Sequence, residues 1–124
     1  MEPSPVVQLN AFVPAKDLAV SKQFYSELGF TLVWCNDDIA QFQIGSYTFL
    51  LQKFYVPEHA NNFMMALRVE DADAWWKHIE SLGLKEKYKL HIVKAPEMQA
   101  WGIRVLYISD PTGILWHIQD AKSE

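Results

Sequence analysis

Four histidines, one cysteine and a scatter of carboxylates are the side chains that could do acid–base, metal or nucleophilic chemistry. His59 sits beside Glu58, His91 lies in a lysine-rich stretch, and His78 neighbours a run of helix-spaced apolar residues. Only His117, inside the alternating run Ile114–Gln119, is aimed at an interior. An imidazole there reads first as a neutral, hydrogen-bonding group in a pocket. Cys35 has no second cysteine to pair with, which excludes an intramolecular disulfide and a cysteine-rich zinc site. No Ser/His/Asp or Cys/His arrangement has a diagnostic spacing, and there is no glycine-rich phosphate loop. Glu97 is a candidate general base, for which a surface carboxylate is the simpler reading. Nothing nominates a nucleophile. The more informative pair is Trp101-Gly102, where glycine lets the chain turn sharply and present the indole.

The elements that must position these residues follow from punctuation. Ser109-Asp110-Pro111-Thr112-Gly113 joins two β-rich runs, Ile103–Ser109 and Ile114–Gln119, as a tight hairpin. Earlier, Val6–Val13 alternates, with Val7, Leu9, Ala11 and Val13 on one side and Gln8, Asn10 and Phe12 on the other. Asp17 caps a helix to Leu28, ended by Gly29, and strands follow at Phe30–Cys35, Ile39–Ile44 and Tyr47–Gln52. The order then repeats. Phe63–Val69 is a strand, Asp71 caps a second helix ended by Gly83, and Phe49-Leu50-Leu51-Gln52 is echoed by Trp116-His117-Ile118-Gln119. Met1–Pro5 reads as an extended arm, Tyr55–Asn62 as a linker, and Lys85–Lys94 as a polar loop with one short strand at Leu90–Val93.

The expected fold is therefore α+β: a single domain, 1–124, of two βαβββ modules at 6–53 and 63–120. A chain of 124 residues can bury a core without a disulfide or structural metal. A net charge of −4 argues against nucleic acid, which favours a basic face. No charged-then-apolar leader and no apolar run near 18 residues is present, so the expectation is a cytoplasmic protein without a membrane partner. Five tryptophans exceed what a small core needs. Trp75, Trp76 and Trp116 fall at packing positions, which leaves Trp34 and Trp101 for a ligand.

The doubled βαβββ resembles the vicinal oxygen chelate superfamily, which includes glyoxalases, bleomycin-resistance proteins and extradiol dioxygenases. The resemblance rests on Pro14-Ala15-Lys16-Asp17, Phe24-Tyr25, Leu28-Gly29-Phe30, Ala95-Pro96-Glu97-Met98-Gln99-Ala100-Trp101-Gly102 and Asp110-Pro111-Thr112-Gly113-Ile114-Leu115. The last two segments, with Gln119, are most similar to the bleomycin-binding branch. That branch implies curved sheets forming a cup with the helices outside, a homodimer, and non-covalent drug binding without a protein-bound metal or other cofactor.

The enzymatic branches imply a divalent metal held by His or Gln on the first strand of each half and Glu or His on the last. Carried over, those positions fall on Gln8 or Asn10, Met64, Leu50 and His117. Leucine and a thioether do not bind hard or borderline divalent metals, so no metal site is expected. The reading is a binder of an aromatic or planar small molecule, bleomycin-like, acting by sequestration. Its expected ligand residues are Asn10, Phe12, Trp34, Leu50, Met64, Trp101, Arg104 and His117, with the side of the strand taken by Arg104 left open. The alternative is a glyoxalase-like metal-dependent lyase or isomerase.

Overall fold

Asp17 and Asp71 start the two long helices of the structure, a computed structural model that describes residues 3–122. Asp17 accepts a 3.2 Å bond from the Val20 N–H, and Asp71 accepts one of 3.1 Å from Ala74. Each carboxylate satisfies an amide at the helix start that has no partner within the helix. The first two residues of the expected arm, Met1 and Glu2, lie outside the described residues.

The elements are β1 (Phe12–Pro14), α1 (Leu18–Leu28), β2 (Thr31–Cys35), β3 (Ile39–Ile44), β4 (Tyr47–Gln52) and α2 (Pro57–Ala60). They continue with β5 (Met64–Val69), α3 (Ala72–Leu82), α4 (Leu84–Tyr88), β6 (Val93–Met98), β7 (Arg104–Ser109) and β8 (Leu115–Asp120). The chain divides between Tyr55 and Val56 into two compact units. Each contains one four-stranded sheet, ordered β1-β4-β3-β2 in the first and β5-β8-β7-β6 in the second. In both, the first strand runs parallel to the last and the other neighbours are antiparallel. The α+β fold of repeated βαβββ units is thus as the sequence punctuation indicates.

In the first unit α1 covers one sheet face with Phe24, Tyr25 and Leu28, all buried with Val13, Phe42, Phe49 and Leu51. The Tyr25 ring lies 5.0–5.8 Å from those of Phe24, Phe30, Phe42 and Phe49, an aromatic cluster that supplies most of the core. In the second unit Ile79 of α3 is buried with Leu106, Ile108, Trp116 and Ile118. Trp116 is core, as its strand position indicates, whereas Trp75 and Trp76 are half-buried on α3.

Four expected segments are corrected. The strand expected over Val6–Val13 is only β1, and Val7 and Leu9, expected on a packed side, are 92% and 89% exposed. The backbone ladder stops where Leu50 N–H donates to the Ala11 carbonyl, and Gln8 and Asn10 hold the preceding chain by their side chains instead. The strand expected at Leu90–Val93 is β6, Val93–Met98. Its register shifts between Lys94 and Glu97, around Pro96, which an edge strand tolerates because proline has no amide to donate. The polar stretch before it winds into α4, burying Leu84 and leaving its lysines exposed. The expected linker also contains a helical turn, α2, started by Pro57.

Candidate functional site

Strand pairing sorts the expected site residues onto particular faces. In the first unit Trp34 pairs with Gln41, Gln41 with Leu50, and Leu50 with Phe12. These four residues form one row across all four strands, on the face turned away from α1. Asn10 joins them through its side chain: Thr48 Oγ1 donates to Asn10 Oδ1 at 2.6 Å, and Gln41 Nε2 donates to Gln8 Oε1 at 2.9 Å. Gln41 is 4% exposed, so this amide network fixes a polar group inside an otherwise apolar row. Gln41 and Thr48 were missed by sequence reasoning. The signal was there, since Gln41 and Gln43 alternate with the buried Ala40 and Phe42 along β3.

The second unit has the equivalent row. Lys94 pairs with Tyr107, Tyr107 with His117, and His117 with Ala66. His117 thus holds the position of Leu50, and Ala66 that of Phe12. The same register matches Met64 to Asn10, which resolves the choice between Gln8 and Asn10. Tyr107 and His117 meet edge to face with ring centroids 4.8 Å apart. Burial pushes the His117 pKa down, which favours the neutral imidazole.

Arg104 stands apart from this row. It lies on the α3 side of the sheet, where its guanidinium bonds both carboxylate oxygens of Asp73 at 3.0 Å and Asp120 at 3.3 Å. The hydrogen bonds from Arg104 hold the Asp73 carboxyl below its ordinary range. Arg104 is therefore an ion-pair residue linking β7 and β8 to α3, on the sheet face opposite the His117 row.

Trp101 sits in the turn between β6 and β7 and is 57% exposed. Two backbone bonds, Gln99 N–H to the Ile103 carbonyl at 2.9 Å and Gly102 N–H to the Gln99 carbonyl at 3.0 Å, hold that turn. Gly102 has φ 87°, a conformation open to glycine and strained for other residues. Trp34 is 45% exposed on β2.

Among the described residues no three His, Cys, Asp or Glu side chains gather as a metal site. The positions at which the enzymatic branches carry ligands hold an amide (Asn10), an aliphatic chain (Leu50), a thioether (Met64) and one imidazole (His117). That donor set does not fit a divalent metal. Two open grooves lie elsewhere and contain none of the expected site residues: one of about 560 Å³ at Asp38–Ile39 and Gln52–Tyr55, and one of about 350 Å³ between α3, α4 and Val93. No helix among the described residues is long and apolar enough to cross a membrane.

Two βαβββ units, each with a helix on one sheet face and a row of aromatic and polar side chains on the other, define the class. The chain belongs to the Glyoxalase/Bleomycin resistance protein/Dioxygenase superfamily, whose family model matches residues 7–118. It is 29% identical over 112 residues to a bleomycin resistance protein of Klebsiella pneumoniae, covering 87% of each chain. Among solved structures it is similar to a bleomycin-binding protein complexed with bleomycin, with a TM-score of 0.79 and 25% identity over 94% of this chain and 100% of that one. A lactoylglutathione lyase from Agrobacterium tumefaciens shares the fold, with a TM-score of 0.69 at 19% identity over 96% of each chain.

Proposed function

We propose that the protein binds a bleomycin-like antibiotic non-covalently, without a protein-bound metal or other cofactor, and protects by sequestration. The observation that carries this reading is Trp101, a large flat side chain presented on a hydrogen-bonded turn rather than packed in the core. The likeness to a bleomycin resistance protein supports it, as does that to a bleomycin-binding protein solved with bleomycin. Trp34 and Trp101 stack on planar parts of the ligand. Phe12, Leu50 and Met64 give apolar contact, and Asn10, held by Thr48, gives a fixed polar one. The working form is a cytoplasmic homodimer, a single domain of two modules in each copy, with neither nucleic acid nor membrane as partner. Val6, Val7 and Leu9, all largely exposed, are apolar surface that a second copy can cover.

The alternative, a glyoxalase-like lyase or isomerase, needs metal donors where Leu50 and Met64 stand. Melting EDTA-treated protein with and without metal-free bleomycin tests the choice. Stabilisation of about 2.7 kcal/mol at 100 times the dissociation constant is expected. A melting temperature that falls on chelation and recovers with zinc, nickel or manganese would favour the enzyme. Light scattering should give twice the mass of one chain.

A further inference from the structure

His117 Nε2 is buried and has no hydrogen-bond partner among the described residues. A buried polar atom left unpaired costs free energy, and native structures seldom keep one without a use. The ring around it is well placed. Tyr107 meets it edge to face at 4.8 Å, which fixes its orientation. On the β5 side its register partner is the small Ala66, where the first unit has Phe12 beside Leu50. The neutral ring favoured by burial offers one nitrogen lone pair and one N–H. Other charged groups on this face are Lys94 and Glu97 of β6 and Arg68 of β5, placed there by their pairing with Tyr107, Val105 and Gln119. Two of these three groups are cations, so the face on balance opposes a ligand cation and leaves an uncharged amide or hydroxyl unopposed.

We propose that His117 is a specificity-determining residue whose Nε2 forms one hydrogen bond with an uncharged amide or hydroxyl of the bound antibiotic, with Tyr107 as the positioning residue that orients the ring. The proposal rests on the reading of the protein as a bleomycin binder. It goes further by assigning an uncharged polar group, rather than an aromatic plane or a cation, to the second sheet.

Calorimetric titration with metal-free bleomycin, paired with melting curves, tests it on the wild-type chain and on His117→Phe, His117→Gln and Tyr107→Ala. His117→Phe is expected to weaken binding about tenfold, the loss of one hydrogen bond. Its melting temperature should hold or rise, because an apolar ring replaces an unsatisfied nitrogen. His117→Gln, whose amide reaches the place of Nε2, should keep most of the affinity. Tyr107→Ala should weaken binding as His117→Phe does. Wild-type affinity in His117→Phe would overturn the proposal. So would an equal loss of affinity and stability in both His117 variants, which would mark a structural residue. No binding by the wild-type chain would instead overturn the antibiotic reading on which the proposal stands.

Discussion

Arg104 grips Asp73 with two parallel contacts, each guanidinium nitrogen 3.0 Å from a different carboxylate oxygen. The same guanidinium reaches Asp120, whose side chain is 5% exposed. Removing Arg104 takes a charge-assisted hydrogen bond from that buried carboxylate, which keeps the Lys122 amide on its other oxygen, and losing such a bond costs about 1–3 kcal/mol. Arg104→Ala should lower the melting temperature by several degrees and leave antibiotic affinity unchanged. Asp73→Ala should cost less, because Asp73 is exposed and water screens its charge. A selective loss of binding in Arg104→Ala would return it to the site.

Asp110 organises the final hairpin. Its Oδ1 accepts from the amides of Thr112, Gly113 and Ile114, each at 2.9 Å, and Gly113 takes φ 104°. Three amides depend on one buried oxygen, so Asp110→Ala should destabilise by roughly 1–3 kcal/mol. Asp110→Asn, which keeps an acceptor, should lie between. Urea unfolding of the three proteins decides, and an unchanged midpoint in the alanine variant would contradict the account.

His117 sets a pH dependence. Its folded pKa is depressed by burial, so the unfolded chain binds the extra proton first as pH falls. Stability should therefore be full above the ordinary imidazole value near 6.5 and decline below it, towards the lower folded pKa. His117→Phe should flatten that part of the profile, whatever the other titrating groups contribute. Melting curves between pH 7.5 and 5, read as the difference between the two proteins, give the result. Identical slopes would show that His117 is not held neutral.

Two tryptophans separate site from core. Trp101→Ala should keep its fold and lose roughly 1–3 kcal/mol of antibiotic binding, the scale of one stacking partner. Trp116 is 3% exposed, and Trp116→Ala should lose about 3–5 kcal/mol of stability. If Trp101→Ala unfolds, or binds bleomycin as the wild type does, the ligand lies elsewhere.

The fold was legible because its signals are local. Asp17 with Gly29 and Asp71 with Gly83 bracket the two long helices, and short turns set three consecutive strands to within a residue. Val7 and Leu9 misled because alternation shows which residues share a side, not whether that side is covered. Lys85–Lys94 hid α4 because its helical signal is one turn long. The site was half legible. Trp34, Leu50 and Phe12 share a row; the alternation along β3 sets Gln41 apart from Ala40 and Phe42, and cross-strand pairing then places it in that row. Tyr107 was within reach, since the Asp110–Gly113 turn sets the hairpin register and so places it opposite His117. Arg104 required the structure, because its partner Asp73 lies 31 residues away on α3.

The central claim, metal-free sequestration of a bleomycin-like antibiotic, is tested most directly by calorimetric titration of EDTA-treated protein with metal-free bleomycin. The account predicts saturable binding whose affinity does not change when zinc, nickel or manganese is restored, accompanied by quenching of indole emission. Heat that never saturates, or binding that appears only after a metal is added to the protein, would contradict it.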